Sequence, residues 1–95
     1  MTDTNLTTVL LYGKTVCPYC KASKNLLEKN GYIVNYINLD DDQARKEFYE
    51  KMTKELGGPI LSMPQIFIGE KYIGGYSALV EYIKLENSVT FDSEF

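Results

Sequence analysis

Apolar residues fall along this chain in runs whose period changes several times. Thr7 to Tyr12 is a continuous apolar, β-prone run closed by Gly13, the pattern of a strand buried on both faces. From Pro18 to about Asn30 the apolar positions Ala22, Leu26 and Leu27 share one helical face, Pro18 suits a first turn, and Asn30-Gly31 supplies a stop. Tyr32 to Leu39 sets Ile33, Asn35, Ile37 and Leu39 against Tyr32, Val34, Tyr36 and Asn38, which predicts a second strand. Asp40, Asp41 and Asp42 end it and favour a helix start, because carboxylates cap free N–H groups and meet the positive end of the helix dipole. Ala44, Phe48, Met52 and Leu56 then recur at helical spacing before Gly57-Gly58-Pro59, predicting a helix from about Asp42 to Leu56. Gln65 to Gly69 and Lys71 to Ile73 read as short strands joined by a tight turn at Gly69-Glu70. After Gly74-Gly75, Tyr76 to Leu85 returns to helical spacing with Leu79, Tyr82 and Ile83 on one face and Ser77 as its N-cap.

The order β-α-β-α-β-β-α predicts an α/β protein of thioredoxin-like fold, a mixed four-stranded sheet flanked by three helices. Strands joined through helices are expected to be parallel and the terminal hairpin antiparallel. The 95 residues suit a single domain over 1–95, with its core at about 8–85 and a C-terminal tail, 86–95, that lacks a clean period. No apolar run approaches the ~20 residues that span a bilayer. Met1 to Thr8 carries neither the basic nor the apolar part of a secretory leader, so an intracellular, cytoplasmic protein without membrane contact is expected.

Charge narrows the chemistry further. The net charge of −3 is spread over interspersed acids and bases, which argues against nucleic acid as a partner. The chain has no histidine and two cysteines, so an imidazole-based catalytic site is excluded and a four-ligand zinc site from good ligands is incomplete; no metal is expected. The thiols Cys17 and Cys20 remain, in Lys14-Thr15-Val16-Cys17-Pro18-Tyr19-Cys20. A thiol attacks disulfides as its thiolate, and needs a site that lowers its pKa below about 8.5. Cys17 at the start of a helix has such a site: unpaired N–H groups stabilise negative charge, and Lys14 adds a positive field. Cys20, one turn further in, is within reach of a mixed disulfide at Cys17. The competing reading is a pair of core cysteines or half of a zinc site. Pro64, directly before a β run in Ser62-Met63-Pro64-Gln65, is expected to be cis and to turn the Met63 backbone toward an extended peptide thiol. Gly74-Gly75-Tyr76-Ser77 opens the last helix, where glycines admit a ligand and the helix N-terminus suits a carboxylate; a plain strand-to-helix connection fits equally well.

Three pieces in this order, Lys14-x-x-Cys17-Pro18-Tyr19-Cys20, Met63-Pro64-Gln65-Ile66-Phe67-Ile68 and Ile73-Gly74-Gly75, resemble a dithiol glutaredoxin from Thr8 to about Leu85. Ser-Met-Pro-Gln-Ile-Phe and Gly-Gly-Tyr are similar to the glutaredoxins of tailed bacteriophages, which would place the protein in a host cytoplasm. The resemblance implies that Cys17 is the nucleophile, Cys20 the resolving thiol, and glutathione the reducing co-substrate. It implies a glutathione groove in which Met63 N–H and C=O pair with the cysteinyl backbone beside Pro64, Lys14 faces the glycine carboxylate, Tyr19 lines the groove, and Gly75, Tyr76 and Ser77 receive the γ-glutamyl end. The chain departs from the common pattern at Ser77, where many relatives are acidic, and at Ser62-Met63, where Thr-Val is common; Lys51 or Lys54 would compensate. Disulfide-containing proteins are the implied partners, ribonucleotide reductase among them, and a monomer is expected. The alternatives are a redoxin served by thioredoxin reductase, against which the glycine pair and the absence of tryptophan argue, and a dimer holding an iron-sulfur cluster, against which Pro18 and Cys20 argue.

Overall fold

Each predicted period becomes an element in the computed structural model of the protein, which describes residues 8–92. The strands are β1 (Thr8–Gly13), β2 (Ile33–Asn38), β3 (Gln65–Ile68) and β4 (Lys71–Gly74); the helices are α1 (Pro18–Lys29), α2 (Asp42–Leu56) and α3 (Tyr76–Asp92). They form one mixed sheet in the order β2-β1-β3-β4, the thioredoxin-like arrangement expected from the element order.

The period of two along β1 divides its side chains between the sheet faces. Val9 and Leu11 point to one face, where with Ile66 and Ile68 of β3 they meet Cys20 and Leu27 of α1 and Leu79 and Ile83 of α3 in the buried core. Tyr12 points to the other face, where it stacks on Phe48 of α2 at 4.4 Å between ring centroids and meets Phe67 edge-on at 6.0 Å. Helices thus cover both faces, as strands with two apolar faces require. Edge strand β2 is wetter, and Ile33 is 48% exposed.

β1 and β2 are parallel, with Thr8 opposite Ile33 and Gly13 opposite Asn38. β3 is antiparallel to β1, with Val9 opposite Ile68 and Tyr12 opposite Gln65, which corrects the expectation that both helix-linked strand pairs are parallel. The segment 57–64 between α2 and β3 makes this possible. Its eight residues reach at most about 27 Å, enough to span the roughly 22 Å length of α2, which lets the chain re-enter the sheet at the end it left and run back. The segment is anchored: Ile60 N–H donates to Thr53 Oγ1 (2.9 Å) and Gln65 Nε2 to the Ser62 carbonyl (2.9 Å).

Two boundaries at α3 also differ from expectation. The helix begins at Tyr76, with Leu79 N–H donating to the Gly75 carbonyl (3.0 Å), so Ser77 lies inside the first turn rather than at the cap. It continues past Leu85 to Asp92, because no glycine or proline interrupts the hydrogen-bond ladder there. That part of the expected tail is helical, and residues 93–95 lie outside the described residues.

Candidate active site

β1 ends at Gly13, and residues 14–17 carry the chain to α1. Cys17 is the N-cap of that helix in extended conformation (φ −157°, ψ 98°), and Pro18 occupies the first turn. The Cys17 sulfur accepts the Cys20 backbone N–H at 3.2 Å, the bond that a capping oxygen usually makes. Cys17 and Cys20 are joined in a disulfide with Cα atoms 5.2 Å apart. Cys20 is fully buried in the core, whereas Cys17 is half-buried. One cysteine therefore stands half-buried at a helix N-terminus, and the other is sealed in the core. Reduced, the first is placed to be held as a thiolate and the second to re-close the ring.

The Met63–Pro64 peptide is cis, as its position before β3 suggested. Met63 packs against the same core cluster as Cys17, and Pro64 is buried. Tyr19, Met63, Pro64, Gly75, Tyr76 and Ser77 line a groove of about 570 Å³, together with Ser62 and Ala78. Tyr19 and Tyr76 stack there at 5.3 Å between centroids. Six of the seven expected ligand contacts thus share one groove; Lys14 does not line it. Lys51 and Lys54 lie along α2 beside other hollows, near Phe48 and Leu61 respectively, and do not line the groove either. Within the glycine pair it is Gly74 that the geometry requires: its φ is +119°, and a Cβ there would stand 3.2 Å from Ala78 Cβ.

Several residues that shape the site were not among the expected contacts. Gln65 is 3% exposed and bridges the cis-proline loop to β4, donating to the Ser62 carbonyl and accepting from Tyr72 Oη at 2.5 Å. Tyr36 Oη donates to the Lys14 carbonyl (2.6 Å); burial, and then the charge of Asp40, push its pKa up, while Lys24 opposes the rise. Asp40 accepts from Thr15 N–H (2.8 Å) and Thr15 Oγ1 (2.6 Å). The Thr15 hydroxyl first, then the Thr15 N–H, with smaller help from Asn38 and Lys14, holds the Asp40 carboxyl below the usual carboxylate range. The run of three aspartates is therefore divided. Asp41 caps α2 through Ala44 N–H (2.9 Å), Asp42 pairs with Arg45 (2.6 Å), and Asp40 turns back to the loop before Cys17.

Comparison with known proteins agrees with this geometry. A family model described as glutaredoxin matches residues 9–73. A glutaredoxin of Haemophilus influenzae is 39% identical over 72 residues, which cover 70% of this chain and 79% of that protein. Glutaredoxin 1 of Escherichia coli is 29% identical over 80 residues, covering 79% and 91%. Among solved structures, glutaredoxin 1 from Francisella tularensis complexed with cacodylate superposes with a TM-score of 0.75 at 33% identity, covering 85% of this chain and 98% of that one. A buckwheat glutaredoxin-glutathione complex superposes with a TM-score of 0.74 at 27% identity, covering 95% and 80%.

Proposed function

This chain belongs to the glutaredoxin family of thiol-disulfide oxidoreductases, and from that premise we propose that it reduces protein disulfides and glutathione mixed disulfides with glutathione as its electron source. Cys17 thiolate attacks a substrate disulfide, forming a mixed disulfide and releasing one substrate thiolate. Cys20 attacks the Cys17 sulfur, releases the second substrate thiol and leaves the Cys17–Cys20 disulfide. One glutathione thiolate reopens that bond at Cys17. A second attacks the glutathione sulfur, releasing glutathione disulfide and the Cys17 thiolate. Two glutathiones are oxidised for each substrate disulfide reduced.

The observation that carries this reading is the groove from Tyr19 and Met63 to Ser77: Tyr19 lies between the two cysteines in sequence, and Met63 packs against the same core cluster as Cys17. Its volume of about 570 Å³ is that of a small-ligand site, and the buckwheat relative was solved as a glutathione complex. In our reading Met63 offers its backbone N–H and C=O to the cysteinyl unit beside Pro64, and Tyr19 walls the groove. Gly75, Tyr76 and Ser77, at the start of α3, receive the γ-glutamyl carboxylate. Lys14 contributes its charge toward the glycine carboxylate rather than a groove wall. We assign the reaction to a monomer in the reducing cytoplasm, with ribonucleotide reductase as one client; among the described residues no helix is long and apolar enough to cross a membrane.

A coupled assay tests the electron source. With glutathione, glutathione reductase and NADPH, the protein is expected to drive NADPH oxidation on a small glutathione mixed disulfide. Turnover with thioredoxin reductase and NADPH, and none with glutathione, would overturn the assignment.

A further inference from the structure

We propose that Asp40 is a positioning residue for the reacting thiol: its carboxylate latches the turn at residues 14–16, which delivers Cys17 to the start of α1, onto the end of β2. The proposal rests on the reading that Cys17 is the attacking thiol.

The turn has little else to hold it. It lies between β1 and α1, outside either element, and its side chains barely pack: Thr15 is exposed and Val16 is 85% exposed. Hydrogen bonds must supply the order that burial does not. Asp40 supplies two to a single residue 25 positions away, one carboxylate oxygen taking Thr15 N–H (2.8 Å) and the other Thr15 Oγ1 (2.6 Å). Charge-assisted bonds of this length are about twice as strong as neutral ones, and a bidentate pair fixes orientation as well as distance. Asn38 completes the ring, donating to Thr15 Oγ1 (2.8 Å) and accepting Asp40 N–H (2.8 Å). Tyr36 adds its bond to the Lys14 carbonyl (2.6 Å). Tyr36, Asn38 and Asp40 follow the two-residue period of an extended strand, and the parallel register that sets Asn38 opposite Gly13 brings them to the turn.

The placement is otherwise costly. A carboxylate near a thiolate disfavours the thiolate, and the other two aspartates serve α2, so a helix cap does not require Asp40 here. The ionisable groups around it are Lys14, which offsets its charge, the Tyr36 phenol, whose ionisation it opposes, and Arg45, whose guanidinium donates to the Asp40 backbone carbonyl (3.1 Å). Its two effects on Cys17 therefore have opposite signs. As a nearby negative charge, Asp40 raises the Cys17 pKa; as a latch, it lowers that pKa by keeping Cys17 in the capping geometry that receives Cys20 N–H.

Two substitutions separate the effects, because they remove the same charge. Asp40→Asn keeps an oxygen for Thr15 N–H, and the Thr15 hydroxyl can accept from the new amide. Asp40→Ala keeps neither. In the Cys20→Ser background, the pH dependence of iodoacetamide alkylation reads the Cys17 pKa alone. Asp40→Ala is expected to raise it by about one unit, and Asp40→Asn to leave it unchanged or lower it. Equal shifts in the two variants, or none in either, would overturn the latch. Should Asp40→Ala fail to fold, Thr15→Val removes the hydroxyl half from the other side, and an unshifted or lowered pKa there would overturn the latch as well. Retained turnover in Cys17→Ser would instead overturn the reading of Cys17 on which the proposal rests.

Discussion

Alanine at Gly13 would place a methyl group where the fold has none to spare. An ideal Cβ there lies 2.7 Å from Tyr36 Oη, 2.8 Å from Cys20 Sγ and 3.1 Å from Cys20 Cβ. Non-bonded heavy atoms settle at about 3.5–4.0 Å, so a neighbour must move by close to an ångström. Neither is free to do so cheaply: Tyr36 Oη is bonded to the Lys14 carbonyl at 2.6 Å, and Cys20 is buried and tied to Cys17. Overpacking of this kind costs about 1–3 kcal/mol. One effect opposes it. The φ of Gly13 lies outside the left-handed range, so its backbone accepts alanine, and narrowing the unfolded ensemble contributes about 0.4–1 kcal/mol. The steric term wins, leaving a net destabilisation of about 1–2 kcal/mol. For a domain of this size that lowers the melting temperature by roughly 4–16 °C. Gly58→Ala is the control, since nothing lies within 4 Å of its Cβ and its φ is likewise outside the left-handed range; it is expected to melt at or slightly above the parent. Thermal unfolding of the oxidised proteins by circular dichroism reads both. A Gly13→Ala variant that melts no lower than Gly58→Ala would refute the close approach of β1, β2 and α1 from which the cost is worked.

The burial difference between the two sulfurs makes their replacements unequal. Cys20→Ser is expected to keep exchange of glutathione mixed disulfides, which needs one thiolate, and to lose reduction of protein disulfides; Cys17→Ser loses both, and any residual turnover in it reverses the assignment of roles. Gln65→Leu strands the Ser62 carbonyl and the Tyr72 phenol, partners of a side chain only 3% exposed, and is expected to cost about 1–3 kcal/mol. Urea denaturation measures it, and an unchanged midpoint would mean that water replaces both bonds.

What the sequence determined by itself was whatever neighbouring residues decide together. Hydrophobic period and local stop signals set all seven elements to within a few residues, apart from the end of α3. The dithiol spacing with Pro18 placed a helix start at Cys17, where free N–H groups and a capping sulfur are consequences of chain order alone. The motifs at Met63-Pro64 and Gly74-Gly75 named most of the groove for the same reason, each being a short run of adjacent residues. Ser62, inside the first motif but not read as a ligand contact, also lines the groove, as does Ala78, one position beyond Ser77. Tertiary structure decided what depends on residues far apart in the chain. The antiparallel entry of β3 is allowed by the reach of the segment 57–64, and no period encodes that choice of direction. Lys14, read as a groove contact, does not line the groove, because the path from β1 to Cys17 is fixed by bonds to β2 rather than by its distance from the thiol. Asp40 shows the division most plainly. In sequence it is one of three equivalent acids before a helix. In the fold the parallel register of β1 and β2 brings it, and not Asp41 or Asp42, to the Thr15 hydroxyl. A hydrogen bond across 25 residues has no signature in either partner's neighbourhood, so only the folded chain distinguishes the acid that holds the active-site turn from the two that serve the helix.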